Sequence, residues 1–178
     1  MKIAIIGSKG IPAKSGGIER HVEDLSVRLA SLGHEVFVYS RKHYTKYHQK
    51  QYKGVNIIYL PTIRTKNLEA ITHTLLATID CLFKNYDIIH YHGVGPSTLS
   101  FIPRLLKRKA KVISTFHCQD KFHQKWGRIA RAYLSFGEYA SCKFPHKTIV
   151  ISKTLKEYCK KTFDREAEYI PNGIEFQK

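Results

Sequence analysis

Three observations predict an α/β fold, a Rossmann-like doubly wound parallel sheet with helices on both faces. Short β-branched runs alternate with helical periodicities along the chain. The first run, at the very start, passes straight into a glycine-rich segment that opens a helix. The 178 residues, 43% hydrophobic and 25% charged, suit one domain with a single large core.

About seven strands are expected, at Lys2–Ile6, Glu35–Ser40, Val55–Leu60, Ile88–Tyr91, Lys111–Thr115, Thr148–Ile151 and Glu168–Ile170. The first helix carries Ile18, Val22, Leu25, Leu29 and Leu32 at steps of four and three, and Gly33 is a good C-terminal residue for it. Leu68, Ile71, Leu75, Ile79 and Leu82 repeat the pattern in a second helix, so both stripes are expected on the sheet. A later helix shows Trp126, Ile129, Tyr133, Gly137 and Ala140, whose small members allow close backbone approach. Pro96 and Ser97 suit the start of a helix through about Lys107, which Pro103 should kink or split. The polar, basic stretch Arg41–Lys53 reads as a surface loop.

Composition narrows the class further. The four cysteines are widely spaced and form no C-x-x-C pair, and the N-terminus lacks the form of a signal peptide, so a reducing, cytoplasmic setting is expected. No apolar run reaches the length of a membrane span. Thirty Lys+Arg against 14 Asp+Glu give a net charge of +16, a field that attracts nucleic acid, anionic lipid and phosphorylated substrates alike. No nucleic-acid fold signature accompanies that charge, although a nucleic-acid-binding module stays open on composition alone.

Glycines dominate the segment Gly7 to Gly17. A helix N-terminus offers free amide donors and a positive dipole end, so a loop of this kind either cradles phosphate or only relieves steric strain. It matches neither the dinucleotide fingerprint nor the P-loop. Ser40-Arg41, where an acidic residue would favour NAD, leaves an NADP-binding domain as an alternative.

Five segments resemble, in order, the family-4 retaining glycosyltransferases of GT-B fold. They are Gly16-Gly17-Ile18-Glu19-Arg20-His21-Val22 followed by Gly33-His34-Glu35-Val36; Asp87-Ile88-Ile89-His90-Tyr91-His92-Gly93; Thr115-Phe116-His117; Val150-Ile151-Ser152; and Ile170-Pro171-Asn172-Gly173. The resemblance implies one half of a GT-B fold. Residues 1–170 would form the acceptor-side domain and residues 171–178 the start of the connection to a donor-binding domain that this sequence lacks.

Carried over by residue, the resemblance places the donor phosphate or sugar at Gly16 and Gly17 and the active-site histidine at His117. His92 and Gly93 end a neighbouring strand and would line the acceptor pocket, with Glu19 and His21 nearby and Asp120 and Lys125 as further acceptor contacts. His90 is expected in the core. His90 and His92 point the same way and could suggest a metal pair, yet spacing implies no third ligand, so neither metal nor cofactor is expected. Trp126 fits a core anchor better than a sugar platform. The segment Lys125 to Tyr133 resembles a rhamnosyltransferase-like subgroup.

The implied partners are a nucleotide-sugar donor, bound through the missing domain, and a glycan or lipid-linked acceptor. Basic residues concentrate in Arg41–Lys53, Arg64–Lys66, Arg104–Lys111 and Lys153–Lys161, which suits a peripheral position at the inner face of an anionic membrane.

Overall fold

The computed structural model describes residues 1–45, 48–65, 68–119 and 127–173. Among these, eight strands form one sheet: β1 (Lys2–Ile6), β2 (Glu35–Arg41), β3 (Gln51–Tyr52), β4 (Val55–Leu60), β5 (Ile88–His92), β6 (Lys111–Phe116), β7 (Lys147–Val150) and β8 (Glu168–Tyr169). The helices are α1 (Gly17–Ser31), α2 (Leu68–Leu82), α3 (Val94–Ser97), α4 (Phe101–Leu106), α5 (Arg128–Lys143) and α6 (Lys153–Phe163). The strand order is β3-β4-β2-β1-β5-β6-β7-β8, and every pairing is parallel except β3 with β4. This is the expected doubly wound, Rossmann-like sheet.

The unexpected strand is β3, which falls inside the stretch expected as a loop. Lys53 and Gly54 both have positive φ, 45° and 81°, the geometry of a primed two-residue hairpin turn, and they fold Gln51–Tyr52 back on β4. At the other end of that stretch Arg41 extends β2. It is buried and its guanidinium meets Glu69 at 3.1 Å, so this end too is part of the folded body.

Strand alternation sorts the core into two layers. Ile3, Ile5, Val36, Val38 and Ile57 face α1, whose Val22 is fully buried among them. Ala4, Ile6, Tyr39, Ile89, Tyr91 and Val112 face α2, and further along that side Phe116 and Val150 pack with Leu134 and Cys142 of α5 and Cys159 of α6.

The stripe expected to bury α2 faces outward instead. Leu75 and Ile79 are 41% and 42% exposed, whereas His73, Thr74, Ala77, Thr78 and Cys81 are buried. The reason lies in the sheet. Tyr39 and Tyr91 bury their rings under α2 and need partners for their hydroxyls. Thr78 Oγ1 lies 2.9 Å from the Tyr91 hydroxyl, and the Tyr39 hydroxyl donates to Asp80 at 2.6 Å. Polar side chains answer that need and the leucines turn away. Leu32 is likewise 73% exposed, beyond the last turn of α1.

Pro103 occupies the third position of α4, where a missing amide hydrogen costs little, and the region divides into α3 and α4. Gly137 presses against α3: a Cβ there would sit 2.5 Å from the Val94 carbonyl. Ile129, read as part of the buried stripe of that helix, is exposed. Trp126 lies outside the described residues. No helix among the described residues is long and apolar enough to cross a membrane.

Candidate active-site cleft

Winding reverses at β1. From it the chain moves outward to β2, on to the edge strand β3 and back to β4 between the two, then crosses to β5 on the other side of β1 and continues to β8. Beyond the carboxyl ends of β1 and β5 lies the crevice where sheets of this kind hold ligands. The loop from Gly7 and the His92-Gly93 corner both stand there.

The loop is packed onto the strand beside it. A side chain at Gly7 would collide with the His92 backbone carbonyl, so only glycine lets β1 end so close to β5. Gly16 caps α1 at φ +100°, again a glycine conformation, and no side chain caps the first turn of α1. That leaves the amide end of α1, with Gly17 as its first residue, open to an anion.

Two carboxylates one turn apart on α1 hold the loop from beneath. Glu19 is buried and accepts the Lys9 amide at 3.2 Å, and its side chain also fills the space beside Gly16. Glu23 accepts the Ala13 amide at 2.6 Å and the Tyr52 hydroxyl at 2.9 Å. From the other side Tyr44 accepts the Lys14 amide at 2.7 Å. Glu19, expected to contact acceptor, is thus placed under the loop, where it positions Gly16. The pairing of Glu19 with Glu23 four residues on was the available signal for this anchor, and sequence reasoning passed over it.

Four histidines cluster at the ends of β5 and β6, and His92 among them lines the crevice. His90 and His92 point to the same face of β5, with ring centroids 4.1 Å apart, and His90 bonds Thr115 Oγ1 at 2.8 Å, a core role as expected. His92 Nδ1 and His117 Nε2 share a hydrogen bond of 3.2 Å. His21, from α1, lies 5.5 Å from the His92 ring and 5.1 Å from the His117 ring. The Nε2 of His92 is buried without a partner.

Burial holds all four imidazoles neutral. It pushes His90 down to about 3 and His117 to about 4, each helped by neighbouring histidines, and it drives His92 well below its ordinary value. His21 is also lowered by burial, against the pull of Asp24. Neutral rings can donate and accept hydrogen bonds. At a value near 4, His117 is a poor general base at neutral pH but a good orienting group for a hydroxyl.

Ring nitrogens of His21, His92 and His117 lie within 4.8 Å of one another, so these three side chains could hold a metal ion. The pair weighed from spacing was His90 and His92 with no third ligand; the cluster instead joins His92 to His117 and to His21 of α1, without His90.

A cleft of about 500 Å³ opens beside this cluster and reaches it through His92. Apolar side chains dominate its walls, among them Ile18, Leu68, Ile71, Val94 and Tyr133, with Gly93 and His92 at its base. Tyr133, which sequence reasoning treated only as a stripe residue, bonds Thr98 at 2.9 Å and the Gly95 carbonyl at 3.2 Å and so fixes that wall. Asp120 and Lys125 lie outside the described residues.

Solved structures share this architecture at low identity. Sucrose-phosphate synthase from Thermosynechococcus elongatus superposes with a TM-score of 0.65 at 20% identity, over 97% of this chain and 90% of that one. The catalytic domain of starch synthase IV from Arabidopsis thaliana, bound to ADP and acarbose, gives 0.69 at 13% identity, over 97% of this chain and 51% of that one. Arabidopsis thaliana UGT89C1, complexed with UDP-L-rhamnose, gives 0.57 at 17%, over 99% and 49%. The chain thus spans about half the length of the latter two, and the likeness is one of fold, the Rossmann-like half of a GT-B glycosyltransferase. A search of curated proteins finds no match. The chain belongs to Glycosyltransferase Family 4, whose profile matches residues 15–178.

Proposed function

We propose that this chain is the acceptor-side half of a glycosyltransferase. Joined to a donor-binding domain, it transfers a sugar from a nucleotide-sugar donor, with retention of configuration, to a glycan or lipid-linked acceptor in the cleft. The observation that carries this reading is the meeting of the open α1 amide end, the His92–His117 pair and an apolar cleft at the point where the winding reverses. The nucleotides named with the solved neighbours, ADP and UDP-L-rhamnose, fit a donor of that class.

In this reading the α1 amides at Gly16 and Gly17 face the donor diphosphate or the transferred sugar. His117, with Nε2 engaged by His92, turns its remaining nitrogen to the acceptor hydroxyl and orients it. His21 and Gly93 complete the acceptor pocket. In this reading transfer proceeds without a metal, which the chelator experiment below tests against the cluster of His21, His92 and His117. The chain alone is inactive and binds sugar nucleotide poorly.

The test uses the protein joined to its donor domain. His117→Ala should lower kcat by about 100-fold with donor affinity unchanged, the size expected for lost orientation. A chelator should leave the rate as it was. Wild-type turnover in His117→Ala, or tight sugar-nucleotide binding to residues 1–178 by calorimetry, would overturn the assignment.

A further inference from the structure

The nitrogens of His21, His92 and His117 come from three separate places, α1, the last residue of β5 and the residue after β6, and they converge. Two nitrogens bound to one tetrahedral zinc ion stand about 3.3 Å apart. His92 Nδ1 and His117 Nε2 are 3.2 Å apart, so this pair already has the spacing of two ligands on a shared ion. The third nitrogen lies within 4.8 Å of both, so His21 has to bring it at most about 1.5 Å nearer. Its ring is half-buried, meets the other two only through ring contacts and makes no hydrogen bond among the described residues. A turn of that side chain supplies the closure.

The donor set selects the metal. Among the described residues no carboxylate or thiolate joins the cluster, and three imidazoles suit a borderline ion in tetrahedral geometry with its fourth position left to water. That is the preference of Zn²⁺; Mg²⁺ and Ca²⁺ require oxygen ligands. Asp24, whose charge acts on His21, adds attraction for a cation. The outer shell sets the strength. In a permanent site the far nitrogen of a ligating ring is tied to a carboxylate or carbonyl, worth about 10- to 100-fold in affinity. The far nitrogen of His92, Nε2, is buried without such a partner, so an ion held here exchanges.

We propose that His21, His92 and His117 form an exchangeable Zn²⁺ site whose occupation blocks the transferase. The blocking rests on the proposed function, in which His117 orients the acceptor hydroxyl and His21 completes the pocket. A hydroxyl about to attack needs its hydrogen accepted, which requires a bare Nδ1 on His117 and a proton on Nε2, donated to His92. Zinc on Nε2 moves that proton to Nδ1; the ring stays neutral but now only donates. The same ion draws His21 inward, out of the acceptor pocket. Metal-free transfer and a metal site are thus compatible, because the ion is an inhibitor and not a participant.

Cobalt(II), whose visible d–d bands report four-coordinate binding, tests the site on the chain without any sugar nucleotide. The wild type should show tetrahedral bands, no thiolate charge-transfer band, and loss of the signal when zinc is added. His21→Gln and His117→Gln should each weaken cobalt binding by more than about 100-fold, beyond the loss of an outer-shell partner. His21→Gln disturbs the fold least, and unchanged circular dichroism verifies folding in both. His43→Gln, which removes an imidazole paired with Glu69 instead, should bind as the wild type does. In the protein joined to its donor domain and freed of metal, zinc should lower the rate toward that of His117→Ala, about 100-fold, and a chelator should restore it. Absent bands, wild-type affinity in His21→Gln or His117→Gln, a thiolate band that puts Cys118 on the ion, or a zinc-loaded enzyme that turns over at the metal-free rate would overturn the proposal. A joined protein inactive even without metal, its triad still binding cobalt, would count against the proposed function and leave the site standing.

Discussion

Helices α1 and α2 have the same length and lie on opposite sides of the same sheet, yet they use their inner surfaces differently. Inward α1 buries Val22 and Ser26, the serine hydroxyl donating to the Val22 carbonyl, with Ile18, Val27 and Leu29 packed alongside, while Glu19 and Glu23 reach sideways to the glycine loop. Helix α2 sets His73, Thr74, Ala77, Thr78 and Cys81 toward the sheet and leaves Leu75, Leu76 and Ile79 on its exposed side. The difference comes from what each helix covers. Beneath α1 are isoleucines and valines; beneath α2 are Tyr39, Tyr86 and Tyr91, whose hydroxyls require partners. A buried surface that already holds polar atoms selects a polar helix face.

Acid should expose the largest consequence of that polar interior. His73 is buried under α2 and burial brings it from its ordinary 6.5 down to about 4, with Arg41 adding to the effect. Below 6.5 the unfolded chain takes up a proton that the folded chain refuses. Stability therefore falls as pH drops from 6.5 to about 4 and levels off below that. In urea titrations His73→Gln should flatten this dependence by on the order of 1 kcal/mol per pH unit. An unchanged slope would mean that His73 is hydrated in the folded state.

On the other side of the sheet, Val22→Ala removes two methyl groups from a fully buried site and should cost about 2 kcal/mol in unfolding free energy. A cost near zero would make the α1 layer as loosely held as the outer face of α2. Thr78→Val should cost about 1 kcal/mol, because it strips the Tyr91 hydroxyl of its partner while conserving volume. A stabilised variant would show that the threonine is there for size alone. The smallest effect is expected for Leu75→Gln, within about 0.5 kcal/mol, since the side chain is already 41% exposed. A loss as large as that of Val22→Ala would place Leu75 in the core.

How much of the site could be read along the chain depends on how local each piece is. The glycine loop and the strand ends at His92 and His117 stand beside elements whose β-branched composition is self-evident, and the motifs around them were legible as a set. His21 was expected near the acceptor, but its closeness to His92 and His117 comes from α1 lying against the ends of β5 and β6. The anchoring of the loop by Glu19 and Glu23 is of the same kind, since their partners Lys9, Ala13 and Tyr52 belong to segments that meet only in the fold.

By itself the sequence determined the alternation of strands and helices, the parallel winding that such alternation produces, the loop after β1 and the family. These rest on backbone propensity, on glycine at positions a side chain would block and on motifs in register, all of which act over a few residues. Only the tertiary structure decided which side of α2 is buried, that β3 exists, that four histidines cluster at the ends of β5 and β6 and that Glu19 lies beneath the loop. Periodicity reports that a helix has an apolar face but not what waits opposite it. That is settled by the side chains of distant strands, here three tyrosines.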